Sequence, residues 1–298
     1  MELKKPLSFA EQVKRLQVHG MKVTDVTEAK RFLASVNYYR FTGYALEFRC
    51  APHKSEYLRG TSFEQVRLIY EFDERLRSIL RLYLEKAEIY YRTQISYGFS
   101  SVKCQTAPHD QHYNEKNYHN AKRFHELMEN FAKEENHYND SLIVQHHRRQ
   151  YQNEMPLWVI VELMTFSTIS LLYSCMYFSE QDCIAREIGT TRGLLKNHLH
   201  CLAVFRNRCA HAGRLYNTTF NPPARFGARF LKGHPEVRTD TLFAYCLLLI
   251  RRQPSIQARQ SLVYELAELF QKYEAVVNFS LLGIPDNYLS IMQERVSR

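Results

Sequence analysis

No stretch of this 298-residue chain is long and apolar enough to cross a bilayer. Its longest apolar runs, 157–164 and 243–250, fall far short of the roughly 20 residues a spanning helix needs. Glycine (10) and proline (9) are scarce, which removes helix breakers and favours long helices. Strict apolar/polar alternation is rare, so half-buried strands are not expected. The seven cysteines are scattered, odd in number and never spaced Cys-x-x-Cys, which argues against a disulfide framework and a zinc ribbon. A phosphate-binding glycine loop, Gly-x-Ser-x-Gly and His-Glu-x-x-His are all missing, which sets aside P-loop, elbow-hydrolase and zincin chemistry. His109, His112 and His119 offer nitrogens, but no cysteine or carboxylate pattern completes a metal site. No metal or cofactor is expected. Met1 to Pro6 lead into a polar amphipathic pattern with no apolar leader core, and the expected location is cytoplasmic.

Charged residues (24%) and apolar residues (45%) are present in ordinary globular proportions, so a folded core is expected. Forty Lys and Arg against 31 Asp and Glu give a formal charge of +9. That surplus suits a polyanionic partner, although a solvated basic surface gives the same total.

Helical periodicity runs through most of the chain. Ser8-x-x-Glu11 and Asp25-x-x-Glu28 open two short helices. The stretch Asn37-Tyr38-Tyr39-Arg40-Phe41-Thr42-Gly43-Tyr44 either stacks bases or closes a small helical core. Thr61-x-x-Glu64 starts a helix approaching forty residues, with Asp73 on its apolar stripe and Glu88 one residue aside; buried there, both need partners. Residues 102–152 turn polar and read as an insertion with one helix, about 121–138. It ends in His146-His147-Arg148-Arg149, which is either a phosphate contact or a solvated helix end. The run 157–164 reads as a central helix starting at Pro156, and another helix starts at Ser179. A helix from Thr191 or Arg192 reaches Ala212 and is closed by Gly213. After a loop with at most a short hairpin at 214–233, two helices, 239–252 and 255–277, complete the chain. The expected fold is all-α: a helical subdomain over 1–60 and a bundle over 61–298 that carries the polar insertion.

The chemistry concentrates at the end of the 191–212 helix. Its apolar stripe runs Leu195, Leu199, Leu202, then Arg206 where a leucine is expected. A guanidinium on a core-facing stripe needs a partner or an anion. His211 lies about 140° around the helix from Arg206, so the two use different faces. Asn207 is one turn before His211 and is expected to orient its imidazole. Glu88 and Glu162 are candidates to pair with Arg206 or Arg92. RNA cleavage through the ribose 2′-hydroxyl needs a base, an acid and a cation beside the phosphorane. One histidine, one arginine and a symmetry mate supply all three.

The residues 37–44, Phe72-Asp73-x-x-Leu76-Arg77 with Glu88 and Arg92, Trp158 with 162–166, and Arg206-Asn207-Arg208-Cys209-Ala210-His211 followed by 214–217 resemble the Abi-like abortive-infection proteins (the AbiD/AbiF group) of the HEPN superfamily. The resemblance implies a HEPN-like helical bundle, a homodimer that joins two Arg-x4-His motifs, and a metal-independent endoribonuclease of phage-defence or toxin type. A small non-coding RNA is implied as a restraining partner. Arg206 and His211 become the catalytic pair and Asn207 their support, with Glu88, Glu162 and Asp73 behind them. RNA contacts are expected from Tyr38, Tyr39, Arg40, His147, Arg148, Arg149, Arg208 and Arg214. The chain departs from the family at Ala212, often a second histidine, and at Ser167, often glycine. The competing reading is a non-catalytic protein that holds a structured small RNA.

Overall fold

The computed structural model describes residues 5–52, 54–151 and 154–297. Met1 to Lys4 and Gln152, the last residue of the expected insertion, lie outside the described residues. Within them the regular secondary structure is all helical, with no β-strand.

Helices α1 (Phe9–Val18) and α2 (Val26–Ser35) start where their caps place them. Ser8 and Glu11 cap each other, with 2.7 Å from the Ser8 N–H to the Glu11 carboxylate and 3.3 Å for the return bond. Asp25 accepts from the Glu28 N–H at 2.9 Å. The aromatic stretch forms α3 (Tyr38–Tyr44). Phe41 stacks on Phe63 at 4.5 Å and Tyr44 meets Tyr70 edge-on at 5.3 Å. These contacts press the N-terminal helices onto the first turns of α4 (Phe63–Lys103), the 41-residue spine of the molecule. Its cap is Ser62, which accepts from the Gln65 N–H at 3.1 Å, and not Thr61. Glu64 is thereby released from the capping box and instead accepts the Thr24 N–H at 3.3 Å.

The polar segment holds two helices, α5 (Ala121–His137) and α6 (Leu142–Gln150). Phe124, Leu127 and Phe131 of α5 are buried, and α5 packs on α8 (Phe166–Cys175). Between them the apolar run 157–164 does not make the central helix expected of it. It gives one turn, α7 (Leu157–Ile160), and a 3-10 turn ending at Leu163. The interruption has a local cause: Thr165 caps α8 by accepting the Thr168 N–H at 3.2 Å, which requires extended backbone just before it. Helix α9 (Phe178–Glu187) leads to α10 (Arg192–Ala210), capped by Thr191.

Helix α10 packs against α8, α4, α9 and α12 (Leu242–Arg251). All residues from Leu242 to Ile250 are buried, so α12 is the helix at the centre. The connection from α10, read as a loop with at most a short hairpin, contains no hairpin among the described residues and ends in a short helix, α11 (Ala228–Gly233). Helix α13 (Ile256–Tyr273) lies along α4, and a last helix, α14 (Tyr288–Ser297), which sequence periodicity did not reveal, packs on α12 and α13 through Ile291, Met292 and Val296.

Candidate active site

Leu195, Leu199 and Leu202 of α10 are buried as their spacing requires. The next residue on that face, Arg206, meets a buried acid. Its Nε donates to Glu88 Oε2 at 3.0 Å, and Arg92 donates to Glu88 Oε1 at 2.6 Å. Arg92 also donates to the Met164 carbonyl at 2.6 Å. Glu88 therefore ties α10 to α4 and, through Arg92, to the turn before α8. Its own side chain is 6% exposed, whereas that of Arg206 is 36% exposed. The guanidinium is anchored at one end and reachable at the other, on a cleft of about 330 Å³ shared with Arg81, Glu85 and Ala210.

Glu162, the other candidate partner, is exposed and pairs with neither arginine. The 3-10 turn that replaces a regular helix there leaves it facing solvent. Asn207 also departs from expectation. Its amide donates to Ser167 Oγ at 3.2 Å and its oxygen faces Arg206 Nη1 at 3.4 Å. The side chain thus bridges α10 to α8 and does not orient the imidazole; only the backbone link from the His211 N–H to the Asn207 carbonyl, 3.0 Å, joins the two. Ser167 supplies the acceptor. His211 is the C-cap of α10, is exposed, and its ring has no partner among the described residues.

The helix ends in a Schellman arrangement: the Gly213 N–H reaches the Arg208 carbonyl at 2.7 Å and the Ala212 N–H the Cys209 carbonyl at 3.2 Å. The left-handed residue is Ala212, φ +53°, and not Gly213. Gly213 serves another purpose, since a Cβ there would sit 2.7 Å from Arg208 Cγ and 3.0 Å from the Arg208 carbonyl. Burial pushes the Cys209 thiol up to about 12, which leaves this cysteine as packing and not a nucleophile.

The loop leaving the motif is held by Asp73. This fully buried carboxylate accepts the Leu215 N–H at 3.1 Å, the Tyr216 N–H at 2.8 Å and the Tyr44 hydroxyl at 2.6 Å, and it pairs with Arg77. Asp73 supports the backbone after the motif and touches neither Arg206 nor His211. Arg208 donates to the Arg214 carbonyl at 2.9 Å and lies over Phe220. Arg214 bonds the Gly43 carbonyl, and Arg40 donates to the Ala212 carbonyl at 2.6 Å. Tyr38 packs against the core, whereas Tyr39 is 86% exposed.

The α6 cluster lies elsewhere. His147 bonds the Ile143 carbonyl at 2.9 Å, Arg148 faces Glu135 at 3.7 Å, and Arg149 is exposed. His146 and His147 line a cavity of about 400 Å³ with His109 and Trp158 that shares no residue with the Arg206 cleft. Among the described residues no three His, Cys, Asp or Glu side chains come together as a metal site, and no helix is long and apolar enough to cross a membrane.

The protein is an all-helical bundle in which one helix ends in an anchored arginine and an open histidine. The family model described as Abi-like protein matches residues 31–217, which include α3, Asp73, Glu88 and the whole of α10. The chain belongs to the Abi-like protein family. Membership suggests a function of the abortive-infection type and is compatible with a nuclease-type enzyme. Searches of curated proteins and of solved structures return no match.

Proposed function

We propose that this chain is a HEPN-type endoribonuclease of phage-defence or toxin type, acting in the cytoplasm as a homodimer and cutting RNA through its own 2′-hydroxyl. The observation that carries the reading is the contrast between two side chains of one motif. Arg206 is oriented by a buried carboxylate yet open on one side, and His211 is exposed with an unengaged ring. In the reaction the 2′-oxygen attacks phosphorus, its proton passes to an imidazole, and the P–O5′ bond breaks as an imidazolium protonates the leaving oxygen. The products are a 2′,3′-cyclic phosphate and a 5′-hydroxyl. Arg206 stabilises the added charge on the non-bridging oxygens.

Base and acid are required on opposite sides of the phosphorus, and one protomer offers a single motif histidine. A second copy supplies the other, and the roughly 140° between Arg206 and His211 around the helix suits a site completed by a partner motif. A small non-coding RNA that fills the site would restrain it, which sequencing of copurifying RNA tests directly.

The deciding experiment incubates purified protein with single-stranded RNA in EDTA. Wild type cuts and leaves cyclic phosphate ends, whereas His211→Ala binds RNA and does not cut, and Arg206→Ala binds RNA and cuts at a measurable rate at least about a hundredfold below wild type. Sedimentation under the same conditions reports a dimer. If wild type freed of copurifying RNA binds but never cuts, the protein is an RNA-holding module and the nuclease reading fails.

A further inference from the structure

Beside the motif, between α3 and the loop leaving α10, lies a cavity of about 530 Å³, within the roughly 300–1,000 Å³ typical of small-ligand sites. Arg40, Arg49 and Arg214 line it, together with Asn37, Tyr39 and Tyr44, and no acidic side chain does. Among the described residues none of the three arginines forms an ion pair. The partners of two are neutral, the Ala212 carbonyl for Arg40 and the Gly43 carbonyl for Arg214, while Arg49 lies near the Tyr57 hydroxyl and its Nε is buried and unbonded. Neutral acceptors fix a guanidinium in place without cancelling its charge. Three such cations in one concavity attract a phosphate, since a guanidinium fork matches its oxygens.

The cavity also presents an aromatic face. Asn37 accepts the Tyr39 N–H at 2.8 Å and so caps α3, which seats the Tyr39 ring on the cavity with 86% of the residue exposed. A solvent-facing ring beside guanidinium groups is the arrangement on which an unpaired base stacks. A paired base is enclosed within its helix and cannot reach it.

We infer that this cavity is a subsite for one unpaired nucleotide, its phosphate held by Arg40, Arg49 and Arg214 and its base laid on Tyr39, which makes single-stranded RNA the substrate class. The subsite adjoins the chemistry because Arg40 grips the carbonyl of Ala212, the residue after His211. That adjacency gives the subsite a role in cleavage only if the nuclease reading holds, whereas nucleotide binding stands without it.

The test titrates full-length protein with 5′-AMP, adenosine and inorganic phosphate by calorimetry. It also measures cleavage of a single-stranded oligonucleotide and of its duplex. Expected are binding of 5′-AMP at least tenfold tighter than of adenosine or phosphate, and loss of that binding by about tenfold or more in Arg49→Gln and in Tyr39→Ala. Tyr39 is exposed, so its variant keeps the fold; Arg49→Lys retains a charge and recovers part of the affinity. Both loss variants raise KM for single-stranded RNA about tenfold with kcat within twofold, and the duplex is cut poorly. Phosphate binding as tight as 5′-AMP, or 5′-AMP binding unchanged in both loss variants, overturns the subsite. Cleavage with wild-type KM in both variants also overturns it and leaves the nuclease reading intact. Binding of 5′-AMP by a wild type that never cuts RNA has the opposite meaning: the subsite stands and the nuclease fails.

Discussion

Replacing Glu88 separates anchoring from chemistry at Arg206. The carboxylate is buried and accepts one charge-assisted hydrogen bond from each of two arginines, at 2.6 and 3.0 Å. Breaking a buried ion pair costs about 3–5 kcal/mol, but Arg206 is about one-third exposed and water replaces part of what it loses. Glu88→Gln keeps the shape and one acceptor, so it is expected to cost about 2 kcal/mol of stability, near the lower end of a charge-assisted bond. The same 1.5–3 kcal/mol, lost from an Arg206 no longer held against the phosphorane, lowers kcat/KM by about 10- to 150-fold. Urea unfolding measures the first quantity and single-turnover cleavage of a labelled oligonucleotide the second. The double variant with Arg206→Ala decides the mechanism: if Glu88 acts only by positioning Arg206, Glu88→Gln has no further effect on rate in that background. Wild-type cleavage by Glu88→Gln, or full additivity with Arg206→Ala, refutes the assignment.

Asp73→Asn is expected to cost about 3–5 kcal/mol, because Arg77 then lacks its buried counter-charge, and urea unfolding followed by circular dichroism measures the loss. Burial lowers the buried imidazoles of His112 and His198 from 6.5 to about 4 and about 3, with Arg252 adding to the effect on His198. The unfolded chain therefore binds protons that the folded one refuses. Stability is complete above about pH 6.5 and falls by about 1.4 kcal/mol per pH unit for each histidine on acidification toward pH 4. Unfolding at pH 7, 6 and 5 reads this slope, and His112→Phe should remove about half of it. Ala212 sits at φ +53°, where a Cβ costs about 1 kcal/mol; Ala212→Gly should leave stability equal or raise it by a few tenths of a kcal/mol, and a thermal melt that drops by several degrees would contradict the strain.

Long-range periodicity made the spine and the motif helix readable, because α4 and α10 repeat apolar residues over many turns. Where two local signals compete within a few residues, the sequence was ambiguous. Thr61 and Ser62 both cap, and the fold chose Ser62. Ala212 and Gly213 both follow the helix, and close packing against Arg208 reserved the glycine for the second position. The run 157–164 was apolar enough for a helix, but the Thr165 cap cut it short. At the site, Arg206 and Glu88 stood out as charges on or beside apolar faces, which marks a need for a partner. That the two meet across 118 residues was visible only as one option, and Glu162 looked equally suitable. Arg49 and Ser167 carried no such mark. Their importance comes from what folding places beside them.

Asp73 and Glu88 stand fifteen residues apart on one uninterrupted helix, about 22 Å along its axis and about 60° apart around it. One grips the exit of the motif and the other its arginine, so the spine acts as a gauge whose length is matched to the span from Arg206 to Tyr216. A single residue inserted between them would turn one carboxylate by about 100° while leaving every named side chain in the sequence. That stretch of α4 tolerates substitution on its exposed positions but no change of length, unlike the loops around α5 and α6, where added residues carry only a small closure entropy.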